Sequence, residues 1–144
     1  MNPYDTEAVK KVWARVQATQ EDRLAAMIAD ERHDHQLYLR LARQFPRYRN
    51  LFQSIANDER RHAKRLTELY ISLYHRRPTP AVEQVQSFAN LDAALYARCE
   101  AERLGSQKYQ QAVSVFPQQT AFFLGLAADE ARHADRLCAL TKRR

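Results

Sequence analysis

Helix breakers are scarce in this chain: two glycines and five prolines in 144 residues leave few places for hairpins, so long helices are the default expectation. Uncharged runs long enough to span a bilayer are missing, and the opening MNPYDTEAVKK carries acid where a signal peptide needs an apolar segment. A cytoplasmic protein without a membrane span is expected. Cysteine is limited to Cys99 and Cys138, which excludes a disulfide framework and any C-x-x-C pair for zinc or a one-iron sulfur site. Both are expected to be reduced, structural thiols. The formal net charge of +6 raises the question of nucleic acid, but the arginines are interspersed with Glu and Asp along the segments, as on solvated helix faces. A nucleic-acid surface is not expected.

What the chain does have is helical periodicity in one domain's length, with 45% apolar residues to form a core. Val9, Val12, Trp13 and Val16 fall at i, i+3, i+4 and i+7, which predicts a short N-terminal amphipathic helix within residues 1–19, packed on the main bundle or on a second subunit. Thr19 followed by Asp22 reads as a capping box, so a new helix is expected from about Gln20 to Gln44. Its inward face carries Leu24, Met27, Ile28, Tyr38 and Leu41, and one charged residue, Glu31. Phe45-Pro46 breaks the pattern, and Pro46 suits the first turn of a helix reaching Tyr74. The stretch 75–89 holds two prolines and reads as a crossover. Fifteen extended residues span roughly 50 Å, enough to return along a helix of about 40 Å, so the second and third helices are expected to run parallel. Asn90 caps the third helix, from about Leu91 to Val115. Phe116-Pro117 then repeats the earlier break, and a fourth helix runs to about Thr141.

That repetition is general. Asp58-Glu59-Arg60-Arg61-His62 recurs as Asp129-Glu130-Ala131-Arg132-His133, 71 residues on, and an ungapped shift of 71 matches sixteen of the thirty-nine positions from Glu31 to Leu69. The matches include Glu31/Glu102, Tyr38/Tyr109 and Phe52/Phe123. Two related helical hairpins follow, residues 20–74 and 90–141. In a helix, Glu59 and His62 lie one turn apart on one face, as do Glu130 and His133. The midpoint of 31 and 59 is 45 and that of 102 and 130 is 116, the two turns, so each lone glutamate stands about 14 residues, or ~21 Å, from its turn and level with its partner Glu. Packing the hairpins together brings Glu31, Glu59, Glu102, Glu130, His62 and His133 to one height. Four carboxylates cannot be buried side by side without cations to neutralise them. A pair of metal ions is therefore expected.

Asp58 and Asp129 point to the side of the Glu-His face, where each can hold the ring N–H of the opposing hairpin's histidine. Arg61 and Arg132 can neutralise those aspartates. Tyr38 and Tyr109, seven residues after Glu31 and Glu102, can hydrogen-bond a carboxylate or donate an electron. Asp34 and His35, three and four residues after Glu31, are candidate extra ligands. Gly105 and Gly125 in helix interiors, where glycine is unfavourable by ~1 kcal/mol, imply room left near the site.

This constellation, carried by IADERHDHQLY, IANDERRHAKRL, AERLGSQKY and LAADEARHADRL, resembles the ferritin-like di-iron carboxylate superfamily, in its rubrerythrin-like branch. The fold implied is an all-α four-helix bundle of two duplicated hairpins. By that resemblance Glu59 and Glu130 bridge two iron ions, Glu31 and Glu102 are terminal carboxylates, and His62 and His133 give one nitrogen each. Oxygen-rich ligation suits iron, or manganese or a mixed pair, better than structural zinc. The resemblance implies a non-haem peroxidase or oxidase that reduces hydrogen peroxide or dioxygen in oxidative-stress defence. Alternatives are a ferroxidase for iron storage or detoxification, against which the positive charge speaks, and a di-iron hydroxylase. Two departures matter: no four-cysteine rubredoxin domain is present, so a separate donor such as a rubredoxin is expected, and the extra glutamate of the third helix is replaced by Gly105, whose counterpart is Asp34. A homodimer is expected.

Overall fold

The computed structural model describes residues 6–79 and 84–142 and shows four long helices. They are α1 (Glu7–Gln44), α2 (Arg49–Tyr74), α3 (Leu91–Val115) and α4 (Thr120–Lys142). Helices α1 and α2 form one hairpin, α3 and α4 the other. Among the described residues there is no strand, and no helix is long and apolar enough to cross a membrane.

The two turns are built alike. Phe45 (φ −125°, ψ 77°) and Phe116 (φ −124°, ψ 66°) both precede proline, which forces the preceding residue out of the α region. Their amides still donate to Leu41 and Ala112 one turn back, at 2.9 and 2.8 Å. Pro46–Tyr48 and Pro117–Gln119 each add a single 3-10 turn before the next helix. The expected cap of α3 is present, with Asn90 Oδ1 accepting from the Ala93 amide at 2.8 Å.

Side-chain pairs fix the helix directions. His62 meets Asp129 and His133 meets Asp58, so α2 and α4 are antiparallel. Tyr38 meets Glu102 and Tyr109 meets Glu31, so α1 and α3 are antiparallel too. Helices α2 and α3 therefore run parallel. The connection between them leaves α2 through His75, in the left-handed region at φ 57°. It returns along α1, where Arg40 and Gln44 donate to the carbonyls of Val85 and Phe88. Residues 80–83 of the expected crossover lie outside the described residues, as do 1–5 and 143–144.

Two expectations are corrected. There is no separate N-terminal helix: α1 is continuous from Glu7, with Thr6 as its cap. No glycine or proline interrupts VQATQEDR, and the Thr19 hydroxyl donates to the Arg15 carbonyl one turn back instead of capping a new helix. The arm does not bury its apolar face on the bundle either: Val12, Trp13 and Val16 are 52, 64 and 41% exposed, while Gln20 Nε2 donates to the Val115 carbonyl at the end of α3. Second, the cysteines are not free thiols. Cys99 on α3 and Cys138 on α4 form a disulfide, with Cα atoms 5.0 Å apart. The reason is the hairpin itself: (99 + 138)/2 = 118.5 falls at the second turn, so the two stand at nearly one height on neighbouring helices.

Two apolar cores fill the bundle. One centres on Leu37, Leu41, Phe52, Ile55, Leu95 and Leu137; the other on Leu24, Ile28, Leu66, Phe116, Phe123 and Leu126. Each such side chain, fully buried, stabilises the fold by about 1.5–3 kcal/mol. Between the cores lies a polar layer.

Candidate metal centre

The polar layer is made of six residues, one from each of α1 and α3 and two from each of α2 and α4. Glu31, Glu59, His62, Glu102, Glu130 and His133 are all 3% exposed or less. They converge in two overlapping groups, Glu31-Glu59-His62-Glu130 and Glu59-Glu102-Glu130-His133, each with one donor atom per residue within 4.8 Å of the others. Glu59 and Glu130 belong to both groups. The structure thus brings together all six residues that the 71-residue repeat singles out.

Their environment splits the carboxyls: it disfavours charge on Glu59 and Glu130. At Glu102 burial is outweighed by the neighbouring Glu130 and His133 and by the Arg98 charge, which hold the carboxyl at about 2. Among the described residues seven buried side-chain oxygen and nitrogen atoms make no hydrogen bond, and every one belongs to these six: Glu31 Oε2, both Glu59 oxygens, His62 Nδ1, Glu102 Oε2, Glu130 Oε1 and His133 Nδ1. Such atoms are costly in a low-dielectric interior. Burial, reinforced by the charges of Glu31, Glu130 and Glu102, holds the Glu59 carboxyl well above its usual range. Glu130 is raised as well, first by burial and then by Glu102. Burial alone would lower His62, but the Glu130 and Glu31 carboxylates outweigh it and push the imidazole up to about 9. Without metal, protons do the neutralising.

The surrounding groups orient this layer. His62 Nε2 donates to Asp129 at 2.8 Å and His133 Nε2 to Asp58 at 2.7 Å; an ionised aspartate only accepts, so Nδ1 is the atom left facing the cluster. Arg61 and Arg132, on the outer surface, pair with Asp58 and Asp129. Tyr38 donates to Glu102 Oε1 at 2.6 Å and Tyr109 donates to Glu31 Oε1. Each tyrosine serves the glutamate of the other hairpin, not the one on its own helix. Burial raises both phenols well above 10, so they remain donors.

Asp34 and His35 are placed elsewhere. Asp34 is held by Arg98 at 2.9 Å and His33 at 3.0 Å, outside both groups of four. His35 Nδ1 bonds the Ala56 carbonyl at 2.9 Å, as Ser106 Oγ bonds the Ala127 carbonyl at 2.9 Å. Positions 35 and 106 are repeat mates, as are 56 and 127, so His35 does the helix-bridging work of a serine. Gly105 lies against the cluster, where an added Cβ would come within 3.1 Å of Glu130 Oε2. Gly125 does not: it is exposed, with nothing within 4 Å of such a Cβ.

One buried residue escapes the sequence reading altogether. Arg98 is 5% exposed, donating to Tyr38 Oη at 3.1 Å, to Asp34 at 2.9 Å and towards Glu102 Oε1 at 3.5 Å. Its signal is a charged residue one turn before Glu102 on the same helix face. A family model described as Rubrerythrin matches residues 22–115 of the chain. No curated protein matches it.

Proposed function

The chain belongs to the rubrerythrin family, a ferritin-like di-iron family, and from that premise we propose that it is a non-haem di-iron oxidoreductase that reduces hydrogen peroxide or dioxygen. The observation that carries this reading is the set of seven buried polar atoms that, among the described residues, lack a hydrogen bond, all on six converging residues. Buried carboxylates in that arrangement are stable when cations lie between them. The donor set of four carboxylates and two imidazoles fits two such cations and suits iron, with manganese or a mixed pair as the substitute. Glu59 and Glu130, common to both groups, would bridge; Glu31 with His62 and Glu102 with His133 would complete the two positions.

Iron held there supplies the redox electrons and the open coordination positions. The protein's own part is to position and to exclude. Asp58 and Asp129 fix the imidazole tautomers, Tyr38 and Tyr109 fix the carboxylates of Glu102 and Glu31, and the two apolar cores keep bulk water from both sides of the layer. Cys99 and Cys138 are tied to each other in a disulfide and offer no thiolate pair to iron; a protein of the rubredoxin kind is the proposed electron donor.

The test is anaerobic loading with Fe(II), metal counting, and stopped-flow mixing with peroxide and separately with dioxygen. Two metals per chain and faster reoxidation by peroxide are expected. Fewer than two metals, or metal binding unchanged in Glu59→Ala and Glu130→Ala, defeats the assignment. Much faster reoxidation by dioxygen, together with a 12- or 24-subunit particle by light scattering, would move the reading to an iron-storing ferroxidase; the +6 charge is opposite to the acidic interior that a mineral core requires.

A further inference from the structure

The centre is nearly two-fold symmetric, and the places where the symmetry fails lie together on one side of it. Shifting by 71 turns Arg98 into Met27, Asp34 into Gly105, and Ala101 into Asp30. All of these line a single pocket of about 230 Å³ bounded by α1, α3 and α4. At its mouth stand the exposed Leu104 and Lys108. Of the six residues of the centre, the pocket reaches Glu31, which belongs to the Glu31-Glu59-His62-Glu130 group alone, and Glu130, which is shared by both groups. It does not touch Glu102 or His133.

Two residues account for that one-sidedness. Gly105 has no side chain where a Cβ would crowd Glu130 Oε2 at 3.1 Å; its repeat mate, Asp34, does carry one. Arg98 works in the opposite sense. Its guanidinium sits in the pocket wall between the mouth and Glu102, donating towards Glu102 Oε1 and to Tyr38 Oη, and lies 5.0 Å from the centroid of the Tyr38 ring. Asp34 holds it there at 2.9 Å. Glu31 has no such cover: Tyr109 occupies its Oε1, and no arginine stands at Met27. The Glu31 end of the centre is open to the pocket and the Glu102 end is capped by a buried cation.

We propose that small oxidants reach only one of the two metal positions, the one completed by Glu31 and His62, and that Gly105 and Arg98 determine this choice. The inference rests on the two-metal reading above and adds which metal the substrate meets. Arg98 is a positioning residue here: it acts by covering Glu102.

The probe is azide, titrated into iron-loaded, oxidised protein and followed by its charge-transfer absorption, with the metal count taken on the same samples. Wild-type protein should bind one azide per two-iron centre. Ala101→Leu adds bulk to the pocket wall without replacing any of the six residues and should weaken azide at least tenfold at an unchanged count of two metals. Arg98→Ala should uncover the second position and raise the stoichiometry towards two. Two azides per centre in the wild type, or an Ala101→Leu affinity equal to wild type, would overturn the proposal. So would one azide in an Arg98→Ala protein that retains both metals; if that variant loses a metal, the wild-type and Ala101→Leu results decide. A wild-type metal count below two would instead sink the two-metal reading itself, which keeps the two failures apart.

Discussion

Replacing Glu59 by glutamine should stabilise the metal-free protein while destroying its metal site. Glu59 is fully buried, with neither oxygen hydrogen-bonded, and its pKa is held well above the 4.5 of an ordinary carboxyl, first by burial and then by Glu31, Glu130 and Glu102. The unfolded chain has no such pressure, so above pH 4.5 its Glu59 is ionised. Folding without metal must therefore take up a proton. Each pH unit above 4.5 through which the folded carboxyl stays protonated costs about 1.4 kcal/mol, so at pH 7 the cost is at most (7 − 4.5) × ~1.4, or about 3.5 kcal/mol. Glutamine has nearly the same shape and no proton to acquire. The sign follows from linkage: a raised folded pKa gives a contribution fully present below 4.5 and lost as pH rises, so the advantage of glutamine is near zero at pH 4.5, about 0.7 kcal/mol at pH 5 and up to about 3.5 kcal/mol at pH 7. The amide's own unpaired N–H groups trim this, making the figures upper bounds. Guanidinium unfolding of both metal-free proteins at pH 5 and pH 7 measures it. A Glu59→Gln protein less stable than wild type at pH 7, or a gain equal at the two pH values, would refute the reasoning that protons stand in for cations here. Loaded with metal, the order should reverse.

Metal uptake should release protons and tighten as pH rises from 7 to 9, because Glu130 and His62, pushed up to about 10 and about 9, hold protons there without metal, and burial raises Glu59 in the same direction; calorimetric titration in buffers of different ionisation enthalpy reads the number released, and an uptake independent of buffer would contradict it. Asp58→Asn and Asp129→Asn should each weaken metal binding about 10–100-fold by releasing His133 and His62 from their fixed tautomers; competition with a chelator checks this. Reducing the Cys99–Cys138 bond, which joins residues 39 apart, should lower stability by up to about 4 kcal/mol on the chain-entropy model, with a fall in Tm under strong dithiol reductant; an unchanged Tm after mass spectrometry shows two free thiols would count against it.

How much of this was legible in the sequence depends on whether a feature obeys the repeat. Period and turn chemistry give the four helices. The midpoint rule places Glu31 level with Glu59, and Glu102 level with Glu130, before any coordinates are needed. The same rule applied to Cys99 and Cys138 gives 118.5, close to the second turn, so the disulfide was readable too. It was missed because cysteine count and spacing along the chain were weighed without the hairpin. The start of α1 was misread for a different reason: Thr19 and Asp22 have the side chains of a cap, but a cap forms only where the backbone leaves the helix, and nothing in VQATQEDR makes it do so. Tyr38 and Tyr109 were placed on the right face but assigned no particular partner, since spacing along one helix cannot say which helix lies opposite.

What the repeat could not supply is its own exceptions. Arg98 matches Met27 and Asp34 matches Gly105, so neither contributes to the 71-residue signal, and each alone looks like a surface residue. Together they bury an ion pair beside Glu102 and leave a gap beside Glu130. Duplication explains why the centre has two halves that fold by the same rules. The departures from duplication are where the halves acquire different tasks, because a substitution that broke the shared pattern without function would bury a charge against the cluster for no gain. A symmetric revertant makes this testable: Arg98→Met with Asp34→Gly should fold within about 1 kcal/mol of wild type, since replacing the buried ion pair by an apolar side chain offsets the glycine placed inside α1, while losing the difference between the two metal positions. Equal azide access to both positions at nearly wild-type stability is the expected result. A large loss of stability would mean that the Arg98–Asp34 pair is there to hold α1 against α3, and that the one-sided pocket is a by-product of it.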